Sequence, residues 1–181
     1  MHGLVSLLPE PYYTRVETIW QELERRFGLT GIQVTPYPHF SWQIGEEYPT
    51  NLLEKAAQEI SQTTPPLKIT TGGLGIFTGE HPVIYISVVK TPALSAIHKQ
   101  IWGRFTGVCN GVSQLYSPES WMPHISLAYE DVTPQNIGPA MQWLAFQDFH
   151  WQMTINNISF ICEPSGAIGT LQCTYGFSGE G

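Results

Sequence analysis

The sequence predicts an α+β protein made of two similar lobes related by a pseudo-two-fold axis. Three observations lead there. The pattern Pro-His-x-Ser occurs twice, as Pro38-His39-Phe40-Ser41 and Pro123-His124-Ile125-Ser126, and each copy opens a run that reads as a strand. Around each copy the element order repeats: helix, motif strand, helix, strand pair. A chain of 181 residues suits one domain, or one domain built of two lobes. At that size it buries roughly 70% of its unfolded surface and needs no staples. Residues 1–181 are therefore expected to form a single bilobal domain.

Each element follows from local pattern. Leu4–Leu8 is an apolar run suited to a first buried strand, ended by Pro9. From Pro11 to Phe27, residues Val16, Ile19, Trp20, Leu23 and Phe27 recur at helical spacing, and Gly28 supplies a stop. The region Ile32–Ile44, interrupted by Pro36 and Pro38, is expected as strand and carries the first motif. Asn51–Gln62 reads as a second helix through Leu52, Leu53, Ala56, Ala57 and Ile60, closed by Pro65-Pro66.

Leu67–Thr71 and Leu74–Phe77 read as strand, broken by a bulge or bend at Gly72-Gly73. The Gly72-Gly73-x-Gly75 run is no phosphate loop, since no helix follows and no Lys closes it. Across Pro82–Val89, residues Val83, Tyr85, Ser87 and Val89 alternate with Ile84, Ile86 and Val88, a clear strand. Pro92–Val108 reads as a third helix with the stripe Leu94, Ile97, Ile101, Trp102 and Phe105. A loop rich in Ser, Gly and Pro leads to the second motif strand. Pro134–Phe146 is expected as a fourth helix. Met153–Cys162 and Thr170–Phe177 are expected as two last strands, joined by the turn-prone Pro164-Ser165-Gly166.

Composition narrows the function classes. Hydrophobic content of 42% with 13% charged residues argues for a globular chain and against disorder. Fifteen Asp and Glu against eight Lys and Arg give a formal charge of −7. A protein that wraps a long polyanion needs a basic face, so a long nucleic acid is not the expected partner. A small phosphate ester held by a few local donors remains compatible. Cys109, Cys162 and Cys173 are odd in number and lack a C-x-x-C spacing, which suits a reducing cytosol. No segment reaches the roughly 20 apolar residues of a membrane span. The expected location is cytoplasmic.

The motifs carry the chemistry. In a strand, His and Ser at i and i+2 share a face, while Phe40 and Trp42, or Ile125 and Leu127, point to the other. Each copy is thus a half-site of imidazole and hydroxyl above a hydrophobic anchor. Across a pseudo-two-fold axis His39 and His124 would face each other. Opposed histidines suit in-line displacement at a phosphodiester, one taking a proton from the attacking water and one giving a proton to the leaving oxygen. Ser41 and Ser126 would donate to the non-bridging oxygens, where charge grows. The scheme requires no metal or cofactor.

These residues resemble the two-histidine (2H) phosphoesterase superfamily, and within it the 2′-5′ RNA ligase-like and cyclic phosphodiesterase proteins. The likeness rests on two His-x-Ser-hydrophobic motifs about 85 residues apart and on the element order of nearly the whole chain. Trp42 stands where a smaller aliphatic residue is usual, which alters packing or groove shape. The resemblance implies antiparallel sheets lining a central cleft with helices outside. It implies hydrolysis of 2′,3′-cyclic phosphates or related cyclic nucleotide or RNA-end diesters, with His39 and His124 catalytic and Ser41 and Ser126 binding phosphate. It equally implies the alternative of 2′-5′ RNA ligation, and a module that binds a nucleotide or RNA end without turnover is the contrasting class. Which histidine is acid and which is base stays open, as does oligomeric state.

A single Pro-His-x-Ser would read as a surface or core histidine; two in equivalent places make a site. His2, His81, His98 and His150 have no partner motif and are expected on the surface or in loops, His98 on the polar side of its helix. Aromatic rings commonly hold unpaired bases. Tyr37, Tyr116 and Trp121 are the groove candidates, whereas strand parity sends Trp42 and Tyr129 to the core. No third ligand accompanies the two histidines, so no metal site is expected.

Overall fold

The computed structural model describes residues 2–164 and 166–180. Eight strands and four helices follow one another as β1 (His2–Leu7), α1 (Tyr12–Phe27), β2 (His39–Gly45), α2 (Thr50–Thr63), β3 (Leu67–Phe77), β4 (Val83–Val88), α3 (Pro92–Thr106), β5 (His124–Ala128), α4 (Ile137–Leu144), β6 (Gln152–Ile155), β7 (Asn157–Cys162) and β8 (Thr170–Gly176). The strands form two four-stranded antiparallel sheets, ordered β2-β1-β7-β8 and β5-β4-β3-β6. Each motif strand is an edge strand, paired with the strand that precedes the helix before it. Ser41 lies opposite Val5 in one sheet and Ser126 opposite Tyr85 in the other. The repeat therefore begins one strand earlier than the sequence order suggests, with β1 and β4 as equivalents.

Helix limits follow from their caps. Gly28 ends α1 in the left-handed region at φ 69°, where its N–H reaches the Glu24 carbonyl, a conformation a side chain would resist. Thr91 caps α3, its hydroxyl oxygen accepting from the Leu94 N–H, with Pro92 in the first turn. The fourth helix is shorter than Pro134–Phe146. The Asn136 side chain accepts from the Thr133 N–H and donates to the Asp131 carbonyl, holding a turn that delays the helix to Ile137.

Two further expectations are corrected, and the bulge or bend expected at Gly72-Gly73 is found as a bulge. Of Ile32–Ile44 only the part from His39 onward is strand; Gly31–Val34 is a 3₁₀ turn, and Pro36 and Pro38 cannot donate to a ladder. The Gly72-Gly73 interruption is a bulge inside one continuous β3, whose first half pairs with β6 and whose second half pairs with β4. Met153–Cys162 is two strands in different sheets, β6 on the second and β7 on the first, changing over at Asn156. Of the expected turn Pro164-Ser165-Gly166, Ser165 lies outside the described residues.

The lobes interlock. Helix α1, from the first half, packs on β5 of the second sheet, and α3, from the second half, packs on β2 of the first. One hydrophobic cluster accordingly runs through both sheets, including Leu4, Trp42, Ile86, Trp121 and Ile158. A polar seam adds to it. The Asp131 carboxylate, just past β5, accepts from the N–H groups of Thr30 and Gly31 at 2.6 and 2.7 Å, ahead of β2. A Cβ at Gly31 would collide with the Tyr129 carbonyl oxygen, so the approach requires glycine.

Hydrogen bonds to a charged group are each worth about 1.5–3 kcal/mol. Asp131→Ala is expected to lower unfolding free energy by about 2–4 kcal/mol in urea titrations. A change below about 0.5 kcal/mol would show that this seam does not join the halves.

Candidate active site

The two edge strands β2 and β5 approach each other, and between them opens a cleft of about 610 Å³ lined by His39, Ser41, His124 and Ser126 together. Strand parity explains the placement. Phe40, Trp42, Ile125 and Leu127 are all buried on the opposite face, which turns the His and Ser side chains inward.

Both imidazoles are held in the same way. His39 Nδ1 lies 2.5 Å from the Tyr37 carbonyl oxygen, and His124 Nδ1 lies 2.7 Å from that of Met122. A carbonyl only accepts, so each Nδ1 carries the hydrogen and each Nε2 is the nitrogen left for the cleft. The proline between carbonyl and histidine, Pro38 or Pro123, has a fixed φ and restricts the residue before it, presenting that carbonyl to the ring. Tyr37 thus serves the site through its main chain, and it is not among the described residues lining the cleft.

The serines are anchored with equal symmetry. The Trp121 indole N–H donates to the Ser41 carbonyl at 2.9 Å, and the Trp20 indole N–H donates to the Ser126 carbonyl at 3.1 Å. Each tryptophan comes from the half of the chain that does not carry the serine it holds. Trp121 borders the cleft but is only 1% exposed, stacked on His98 with ring centroids 3.8 Å apart and packed beside Trp42 at 5.6 Å. It acts here as a support rather than an open stacking face. Trp42 is fully buried as expected, its indole N–H bonded to the Ser6 hydroxyl, so the unusual residue of the first motif builds the stack beneath the cleft. Tyr116 lines the cleft, its phenol pushed up to about 12 by burial, with the neighbouring Ser41 hydroxyl opposing.

Several residues sit where sequence reasoning did not place them. His98 is 1% exposed, not on a polar helix face; its Nε2 meets the Trp42 carbonyl at 3.1 Å, and the stack on Trp121 accounts for its burial. Tyr129 lines the cleft because β5 ends at Ala128 and parity does not extend past it. His2 lies on β1 and lines the far end of the cleft, its Nδ1 accepting from the Glu163 N–H. Phe77 and Tyr85 pack on His124 at 4.8 and 5.2 Å between centroids. Tyr85 stood on the clear strand of the sequence, but which strand would pair with β5 was not readable from it. Among the described residues, no group of three or more His, Cys, Asp or Glu side chains is gathered as a metal site. Among the same residues, no helix is long and apolar enough to cross a membrane.

Burial sets the electrostatics. It holds His39 down to about 4, helped by repulsion from a charged His124 and opposed by the Tyr37 carbonyl. Burial lowers His124 too, with the Met122 carbonyl opposing. When the pair takes up one proton, His124 therefore receives it first. By NMR, His39 is expected to titrate near 4, and His124→Ala is expected to raise that midpoint. An unmoved midpoint would show that the two rings do not sense each other.

His98 is likewise held down to about 4 by burial. Unfolded histidines take protons below about 6.5, whereas these two resist until about 4, so stability is expected to fall as pH drops through that window and to be level above it. His98 alone would contribute about 3 kcal/mol at the acid end. Denaturant titrations across pH 4–8 read this slope, and a flat profile would contradict the buried neutral rings.

Residues 10–165 match the family model described as the 2′-5′ RNA ligase superfamily. A provisionally named phosphoesterase of Bacillus mycoides is 22% identical over 141 residues, covering 76% of this chain and 77% of that one. A second, from Bacillus cytotoxicus, is 24% identical over 127 residues, covering 68% and 69%. Among solved structures, TT0787 of Thermus thermophilus superposes with a TM-score of 0.64 at 15% identity over 99% of both chains. Escherichia coli LigT, in a complex with 3′-AMP, gives 0.62 at 12% identity, covering 98% of this chain and 96% of that one. These structures share the fold. The chain belongs to the 2′-5′ RNA ligase superfamily, the two-histidine phosphoesterases.

Proposed function

We propose that the protein is a metal-independent phosphodiesterase that opens 2′,3′-cyclic phosphates or related cyclic nucleotide and RNA-end diesters. The observation that carries this reading is the pair of imidazoles in one cleft, each with Nδ1 bonded to a main-chain carbonyl and Nε2 left for chemistry. The electrostatic asymmetry supports assigning His39 as base and His124 as acid. Neutral His39 Nε2 takes a proton from water as the water oxygen bonds to phosphorus. The opposite P–O bond to one ribose oxygen breaks, and His124 Nε2–H protonates that oxygen, leaving a phosphomonoester. Solvent then takes the proton from His39 and gives one back to His124.

Ser41 and Ser126 donate to the two non-bridging oxygens. The Tyr116 phenol lines the same cleft and stays protonated well beyond neutral pH, a further neutral donor beside Ser41. A bound phosphate anion favours the charged form of His124 and offsets the burial that lowers it in the empty cleft. The family description supports one second reading. If the 5′-hydroxyl of another RNA end replaces water as nucleophile, the same proton transfers join ends by a 2′-5′ bond.

His39→Ala and His124→Ala are each expected to lower kcat/KM for a nucleoside 2′,3′-cyclic phosphate by about 10²–10⁴, with thermal melts retained. EDTA is expected to leave the rate unchanged. The pH profile of kcat/KM should be bell-shaped, its acid limb set by protonation of His39 and its basic limb by loss of the His124 proton. Either alanine variant within about threefold of wild type would sink the proposal, as would joined oligonucleotides appearing faster than hydrolysed ends.

A further inference from the structure

The walls of the cleft say more about its ligand than the two motifs do. Apart from the histidine and serine pairs, its surface is mostly aliphatic and aromatic, with Ile32, Val34, Phe77, Val83, Leu115 and Met122 among the residues lining it. Leu115 is 77% exposed and Met122 55% exposed, so the rim itself is apolar. No Lys or Arg is among the described residues lining it. Several of the cations are engaged in other contacts. Arg25 and Arg26 pair with Glu22, Arg104 pairs with Glu59, and Lys90 donates to the carbonyls of Pro118 and Trp121. The charged side chain that does reach the cleft, Glu163 at the end beside His2, has a carboxylate accepting from the Thr35 hydroxyl. Formal charge over the whole chain is −7.

A phosphate between the motifs has matched donors: two serine hydroxyls and an imidazolium. A second phosphate on the same ligand meets no cation among the described lining residues, only neutral groups such as the Thr78, Ser113 and Ser120 hydroxyls, which leave its charge uncompensated. It would be desolvated against apolar walls, or would approach a carboxylate, in a protein whose overall field repels anions. The volume, about 610 Å³, lies within the roughly 300–1,000 Å³ of small-molecule sites. We infer that this cleft selects esters carrying a single phosphate and an uncharged, largely apolar organic group, and discriminates against ligands with further phosphates, whether polyphosphates, 5′-phosphorylated nucleotides or oligonucleotide ends. The inference rests on the phosphodiesterase reading for its substrate chemistry, but it can be measured without turnover.

Binding of adenosine 3′-monophosphate and adenosine 3′,5′-bisphosphate is compared by calorimetry on the wild-type protein at low salt. The bisphosphate is expected to bind about tenfold or more weakly. Added salt should narrow the gap by screening. Leu115→Arg, a rim substitution at an exposed position, should reduce the gap to about threefold or less by supplying the missing cation. Equal or tighter binding of the bisphosphate, failure of both ligands to bind, or a gap that the arginine leaves unchanged would overturn the inference. A parallel assay compares a nucleoside 2′,3′-cyclic phosphate with an oligoribonucleotide ending in the same group. Faster turnover of the oligonucleotide overturns the selectivity but leaves the phosphodiesterase standing. Absence of turnover with both overturns the phosphodiesterase, while the calorimetry still decides the selectivity.

Discussion

The site depends on one short hydrogen bond made twice, from a histidine Nδ1–H to the carbonyl two residues earlier. That bond decides which ring nitrogen faces the cleft, and it orients the ring without any distant partner. The proline between makes it reproducible, because it fixes one backbone torsion and restricts the residue before it. Tyr37-Pro38-His39 and Met122-Pro123-His124 are thus complete local devices. All that the fold must add is to bring two of them to one place.

The fold does so by crossing its halves over. Each motif strand is an edge strand, so its inward face is not consumed by another strand of its own sheet. Each is backed by a helix from the other half, and each motif serine is held at its carbonyl by a tryptophan from the other half, Trp20 for Ser126 and Trp121 for Ser41. Asp131 ties the same two regions through backbone N–H groups. A relative shift of the lobes would strain all of these together. For the proposed chemistry the consequence is preorganisation, with the motif strands and imidazoles held before a substrate arrives.

Much of this was legible because it is local. Helical spacing at Val16, Trp20 and Leu23, the stop at Gly28 and the parity of His-x-Ser are properties of a few adjacent residues. The repeated order around the motifs marked the cleft itself. What escaped was long-range. Within Met153–Cys162 the buried apolar positions change parity, from Met153 and Ile155 to Ile158 and Phe160, which marks a break but does not say that the two halves enter different sheets. His98 looked polar on its helix because the rings that enclose it, Trp42 and Trp121, lie far away in sequence. Phe77 and Tyr85 came to His124 only through the pairing of β4 with β5 and of β3 with β4. Trp42 read as a departure in the motif, and its reason lay in the stack that carries Trp121.

The symmetry is close but incomplete. Burial lowers both rings, and His39 is lowered further by the charge of its counterpart, while His124 carries an aromatic wall, so two nearly equal half-sites become a distinguishable pair. The most direct test of that account is ¹⁵N NMR of both imidazoles during titration with adenosine 3′-monophosphate. If one phosphate is held between them, the Nε2 signals of His39 and His124 should shift together and saturate at the same ligand concentration, with Nδ1 remaining protonated in both. Movement of only one ring, or of neither, would contradict a shared site.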